Sequence, residues 1–233
     1  MILPTVILPG YFAGATEYRE LGSRLDSLGF PTTIAPLRWQ DWIPTLGGRS
    51  VTPILRQLDT TVKQVLQGSG ASQINLIGHS AGGWLARIYL GEKPYCIHPG
   101  DTEACLWHAR PYVSTLVTLG TPHTSLERWT RKNLEFVNLS YPGGFYSDVR
   151  YVCVAGKSVY GDRWKSWLAY SSYNLTCGRG NCWGDGITPI EAAHLEGAEN
   201  LVIEGAKHSP RGGRLWYGSP GMIDRWLPYL EKP

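Results

Sequence analysis

Short runs of Val, Ile and Leu without polar alternation recur along the chain, separated by longer stretches in which apolar residues return every three or four positions. The short runs read as strands at residues 5–8, 32–37, 74–78, 114–119, 150–155 and 201–204, and unbroken apolarity is what parallel strands covered on both faces show. Tyr18, Leu21, Leu25 and Leu28 give a helical period across residues 16–28, and Leu55, Leu58, Val62 and Leu66 repeat it across 52–66. Helical patterns at 81–90 and 222–230 complete the set. Such alternation predicts an α/β fold: a mostly parallel central sheet with helices on both faces. No internal repeat or low-complexity linker interrupts it, so residues 1–233 are expected to form a single domain. Two stretches fit poorly. Residues 121–146 and 158–183 are rich in Trp, Tyr, Gly and polar residues, and long insertions after strand ends lie over the carboxyl edge of a sheet, as walls or lids of a pocket.

A chain of 233 residues with 42% hydrophobic content can bury one sizeable core. Its 22 basic and 19 acidic residues leave a net charge of +3 with no polybasic block, so nucleic acid is not an expected partner. The N-terminal apolar run is broken by Pro4 and ends at Pro9-Gly10, without a positive leading region or a small-residue cleavage site; it reads as a first strand rather than a signal peptide. No apolar stretch reaches the roughly 18 residues that a spanning helix needs. A cytoplasmic protein is the expectation, with peripheral membrane contact open to it. Of the five cysteines, Cys153 falls inside a strand as a buried thiol, whereas Cys96/Cys105 and Cys177/Cys182 could each close a small disulfide loop in an oxidising compartment. Without a signal peptide the reduced state is favoured, and neither pair has the second ligand pair of a structural zinc site, so no metal is expected.

Chemistry enters at Gly78-His79-Ser80-Ala81-Gly82, a G-x-S-x-G pattern. It follows the apolar run Ile74-Asn75-Leu76-Ile77 and leads into the helical run from Trp84 to Leu90, which is the strand, turn and helix that lift a nucleophilic serine above a sheet edge. A serine hydroxyl needs a base and an orienting carboxylate later in the chain, in the order Ser, Asp, His. His208 sits in a loop just beyond the last predicted strand and is the expected base; His194, in a short helical pattern, is the rival. Asp185, in Trp183-Gly184-Asp185-Gly186, is the expected acid, because flanking glycines allow a tight turn that aims the carboxylate; Asp162 is its rival, with a surface ion pair to Arg163 as its plain reading. The oxyanion of acyl transfer needs two donors. One is assigned to the Ala81 backbone N–H and the other to Tyr11, with Phe12 as the fallback, in the loop after the first strand. Phe12 and His123 are expected to touch substrate.

Pro9-Gly10, the Gly-His-Ser-Ala-Gly-Gly turn, Leu119-Gly120-Thr121-Pro122-His123 and Trp183-Gly184-Asp185-Gly186 together resemble the lipase-type α/β-hydrolases. The C-terminal third resembles more closely a branch of cyanobacteria and plant plastids, distantly similar to the inositol deacylases that trim glycolipid anchors, through Cys177-Gly178, Ala193-His194-Leu195-Glu196-Gly197-Ala198, His208-Ser209-Pro210 and Trp216-Tyr217-Gly218-Ser219-Pro220. The resemblance implies an α/β-hydrolase fold, Ser80, Asp185 and His208 as a triad, and esterase or lipase activity without a cofactor. Pro9 departs from the His that many lipases place before the oxyanion-loop glycine, and Thr124-Ser125 departs from their small residue and Gly after the His123 position.

Hydrolysis of carboxylic esters through an acyl-serine is the expected function, with small-molecule esters or lipids as substrates. Tryptophans and tyrosines in the two insertions favour an apolar acyl site or a lipid-facing surface. A thioesterase or an acyltransferase would use the same residues, and a silent scaffold binding an apolar ligand is the alternative of another class.

Overall fold

The computed structural model describes residues 2–98, 105–210 and 215–231. Six parallel strands form the central sheet: β1 (Thr5–Leu8), β2 (Thr32–Ile34), β3 (Ile74–His79), β4 (Val113–Leu119), β5 (Arg150–Lys157) and, after the hairpin strands β6 (Val159–Tyr160) and β7 (Trp183–Gly184), β8 (Glu199–Glu204). Their order in space is β2-β1-β3-β4-β5-β8. Register sets Ile7 beside Ile77, Ile77 beside Val117 and Val117 beside Val152, so one apolar row crosses four strands. That row belongs to a core with Leu21 and Leu25 of α1 (Arg19–Ser27) and with Trp216, Ile223 and Trp226 of the C-terminal segment. On the opposite face Val6, Leu8, Leu76 and Leu116 pack with α2 (Thr52–Ser69), α3 (Ala81–Leu90) and α4 (Arg128–Ser140). Both faces are covered, which is why the strands read as continuous apolar runs.

The helices end where backbone chemistry requires. In α2, Ile54, Leu55, Leu58 and Val62 are buried, Pro53 occupies the first turn where its missing N–H costs nothing, and Gly70 at φ +68° closes the far end. The helix runs three residues beyond the apolar pattern because nothing stops it before that glycine. The expected helix at 222–230 is instead two short 3-10 turns, Ile223–Arg225 and Leu227–Leu230. Pro228 explains the break: it lacks an N–H and its ring disfavours helical geometry at the residue before it. Strand β2 stops at Ile34, short of the expected residue 37, just before Pro36. The first insertion holds α4, whose N-cap Glu127 accepts the Trp129 and Thr130 N–H groups; the second holds the β6–β7 hairpin and α5 (Trp167–Cys177). A backbone bond from Leu126 N–H to Leu175 O joins the two insertions. Among the described residues, no helix is long and apolar enough to cross a membrane.

Close approach between β1 and the start of α3 depends on Gly82, where an added Cβ would land on the Leu8 carbonyl oxygen and 2.9 Å from Pro9 O. Gly82→Ala is expected to destabilise the fold by about 3 kcal/mol. Gly68, inside α2 with nothing within 4 Å of its would-be Cβ, should show the opposite sign: Gly68→Ala is expected to stabilise by about 0.5–1 kcal/mol. Urea unfolding of both variants checks the pair, and equal midpoints would contradict this packing.

Candidate active site

Ser80 stands between the last residue of β3 and the first of α3 at φ +52°, ψ −123°, in a region that L-residues rarely adopt. Its N–H is tied to Leu119 O of β4 at 2.9 Å, and the Gly83 N–H returns to Ser80 O at 3.1 Å. The side chain is thereby raised beyond the carboxyl edge of the sheet. An added Cβ on Gly10 would sit 2.9 Å from the Ser80 Cβ, so the loop after β1 can close over the serine only with glycine there.

The residues singled out in sequence meet at this point. His208 Nε2 lies 3.0 Å from Ser80 Oγ, and His208 Nδ1 lies 2.7 Å from Asp185 Oδ2. The Asp185 side chain is fully buried, and its carboxylate accepts from the Tyr217 hydroxyl at 2.6 Å and from the Ile187 and Thr188 N–H groups at 2.9 and 2.7 Å. Burial pulls its pKa upward, but the facing His208 and the hydrogen bonds from His208, Tyr217 and Thr188 outweigh that and hold it below the ordinary carboxylate value. An ionised Asp185 only accepts, so the proton of a neutral His208 sits on Nδ1 and the lone pair of Nε2 faces the serine hydroxyl.

The other assignments separate. Tyr11 lines the cavity beside Ser80, its hydroxyl 2.9 Å from Thr45 Oγ1, and Ala81 is the first residue of α3, whose N–H has no acceptor within the helix. That cavity is about 120 Å³ and is lined by Gly10, Tyr11, Tyr18, His79, Ser80 and His208, with Pro210 at its rim. The lining residues of this cavity come from outside the two insertions. Phe12 stands outside it as well, 41% exposed at φ +56° with its ring edge-on to Tyr11. His123 is buried, its Nδ1 3.4 Å from Arg87 Nη1 and its Nε2 3.2 Å from Thr118 Oγ1. The rivals lie outside this cavity lining. Asp162 accepts the Trp164 and Lys165 N–H groups in a surface turn, and His194 follows α6 (Ile190–Ala193) at its C-terminal end. Cys177 and Cys182 are thiols, with their sulfurs and a Glu191 carboxylate oxygen within 4.8 Å of one another; burial pushes the Cys153 thiol up to about 11. The segment between Cys96 and Cys105 includes residues 99–104, which lie outside the described residues, and backbone bonds join Tyr95 and Cys105 at its base.

Sequence reasoning missed Tyr217, whose hydroxyl accepts the Gly156 N–H at 2.9 Å and donates its own hydrogen bond to Asp185. It lies inside the quoted Trp216-Tyr217-Gly218 stretch, but no spacing marks it as a partner of the acid.

No family model matches the chain. Triacylglycerol lipases of Pseudarthrobacter phenanthrenivorans and Burkholderia plantarii are each 37% identical to it over 71 residues, which is 30% of this chain and 17% and 15% of theirs. The match thus spans under a fifth of the length of these relatives. A crystal structure of a gene product from Listeria innocua superposes on 100% of this chain and 95% of its own, with a TM-score of 0.56 at 14% identity. Together with the parallel sheet and the strand–Ser80–helix turn, that likeness shows the α/β-hydrolase fold. Within that fold, the chain's sequence relatives are lipase-like.

Two buried histidines give the site an acid-sensitive stability. Burial, reinforced by neighbouring His208, lowers His79 to about 3, and burial beside Arg87 holds His123 well below the ordinary value near 6.5. Both are bases with depressed native pKa values, so their stabilisation is full above pH 6.5 and is lost as pH falls, because the unfolded chain takes up protons the native chain refuses. Between pH 7.5 and 5 the unfolding free energy should drop by roughly 2 kcal/mol from His79 alone, with His123 adding in the same direction. Denaturant titrations at the two pH values test this, and a pH-independent midpoint would contradict it.

Proposed function

We propose that this chain hydrolyses carboxylic esters through an acyl-enzyme on Ser80. The observation that carries the reading is the continuous hydrogen-bonded line from Ser80 Oγ through the His208 ring to the buried Asp185 carboxylate, set at a strand-to-helix turn. His208 Nε2 takes the hydroxyl proton as Oγ attacks the ester carbonyl, and the imidazolium so formed is stabilised by Asp185. The Ala81 N–H, at the positive end of α3, and the Tyr11 N–H receive the oxyanion. Collapse releases the alcohol with the proton from His208, and water, activated by the same imidazole, frees the acid and restores Ser80.

Support for an apolar acyl group comes from the lipase-like relatives and from large apolar side chains left in solvent along the second insertion: Trp164 is 90% exposed, Trp167 61% and Leu168 64%. These suit contact with a lipid surface. A cavity of about 120 Å³ is smaller than the roughly 300 Å³ at which ligand pockets begin, so it takes the reacting carbonyl end while a long chain extends outside it. The branch resembling cyanobacterial and plastid proteins, distantly similar to inositol deacylases, belongs to this same reading.

Hydrolysis of p-nitrophenyl esters from acetyl to palmitoyl tests it. Ser80→Ala and His208→Ala, each folded, should lose at least about 10³-fold in kcat. Tyr217→Phe, which leaves Asp185 one donor short, should lose about tenfold. No hydrolysis of any of these esters by the parent protein, or full activity in Ser80→Ala, would overturn the proposal.

A further inference from the structure

His79, the residue before the nucleophile, is buried to 3% exposure although nothing in the acyl-transfer scheme uses it. Its ring is held at both nitrogens: Nδ1 lies 2.7 Å from the Tyr18 hydroxyl and Nε2 lies 2.9 Å from the backbone oxygen of His208. The Tyr18 oxygen also receives the Gly10 N–H at 2.9 Å. The direction of every proton in this chain follows from the carbonyl, which can only accept. Nε2 must carry the hydrogen and donate it to His208 O; Nδ1 of the neutral ring is then a lone pair, the Tyr18 O–H donates to it, and the Tyr18 oxygen accepts from Gly10.

We propose that His79 is a positioning residue, which with Tyr18 locks the loop carrying the base to the loop carrying the oxyanion donor. The inference rests on the ester-hydrolase reading above. With His79 in place, residue 208 is fixed at three points. Its C=O is held by His79, its N–H donates to Asp185 O at 3.1 Å and its Nδ1 is held by the Asp185 carboxylate, so Nε2 alone is left to meet Ser80. At the other end, Tyr18 fixes Gly10, the residue that lies against the Ser80 Cβ and precedes Tyr11. One ring therefore sets both the proton acceptor and the oxyanion loop relative to the serine. Because desolvation keeps this ring neutral, it adds no positive charge against the imidazolium that forms 4.9 Å away on His208. Trp216 packs edge-on against both His79 and Tyr18, at 5.7 and 5.9 Å, and shields the pair from water.

Three substitutions separate positioning from packing. His79→Asn keeps a polar atom near the Nδ1 position but cannot reach His208 O; His79→Gln carries an amide N–H about as far as Nε2; Tyr18→Phe removes one hydroxyl and little else. Steady-state ester hydrolysis should show kcat down about tenfold or more in His79→Asn with KM within about twofold, since misplacing a base affects the chemical step rather than binding. His79→Gln should recover to within about threefold of the parent, and Tyr18→Phe combined with His79→Asn should lose less than the product of the single losses. Thermal midpoints are measured alongside. Losses that follow the drop in midpoint, with Gln no better than Asn, would overturn the positioning role in favour of packing. Parent-like kcat in His79→Asn, with Ser80→Ala inactive, would overturn it and leave the hydrolase reading intact; an active Ser80→Ala would remove both. Should the His79 variants fail to fold, folded Tyr18→Phe decides: kcat within about twofold of the parent overturns the proposal.

Discussion

A serine at φ +52° does not hold that conformation by its own preference; such geometry costs of order 1–3 kcal/mol and persists only where its surroundings over-determine it. Here they do. Strand β3 is buried along its whole length between β1 and β4, helix α3 is buried at every position, and the Ser80 N–H is tied to β4. The glycines at 10 and 82 let the loop and strand backbones come within contact of the turn. The rest of the site is built around the place where this turn puts one oxygen atom: His208 arrives from beyond β8, and the Gly10 loop folds back from β1.

Burial then sorts the charges, and magnitudes decide each case. Asp185 loses its hydration, a penalty of several kcal/mol, but accepts four hydrogen bonds worth roughly 1.5–3 kcal/mol each when charge-assisted, so the ionised form wins. His79 and His123 meet the same desolvation without a compensating anion in contact, and the neutral form wins. Arg87 falls between them: desolvation lowers it to about 10, yet the Tyr141 carbonyl and the Asn138 side-chain oxygen keep it a cation at neutral pH. Two tyrosines repeat one device. Each accepts a backbone N–H from a glycine, Gly156 or Gly10, and donates its own O–H, Tyr217 to Asp185 and Tyr18 to His79.

What could be read from the chain in advance was what depends on neighbours in sequence. Strands β1, β3, β4 and β5 were legible because double coverage leaves an apolar run; the strand-to-helix turn at Ser80 was legible from its flanks, and the loop positions of Asp185 and His208, which meet it, from chain order. What could not be read depends on contacts across the fold. Tyr217 and Tyr18 act through hydroxyls whose partners lie 32 and 61 residues away, a separation no periodicity encodes. The burial of His123 depends likewise on a distant partner, the Arg87 guanidinium 36 residues away. The two insertions are joined by the backbone bond between Leu126 and Leu175, and the tryptophans that mark the second one in sequence, Trp164 and Trp167, stand in solvent.

The central claim is that Ser80, alone among the serines of this chain, is an activated nucleophile. A fluorophosphonate probe followed by peptide mass mapping tests it directly, since the probe reacts with a serine only where a base removes its proton and an oxyanion site receives the charge. The account predicts one adduct per chain, on the peptide containing Ser80. No adduct, or an adduct on another residue, would contradict it.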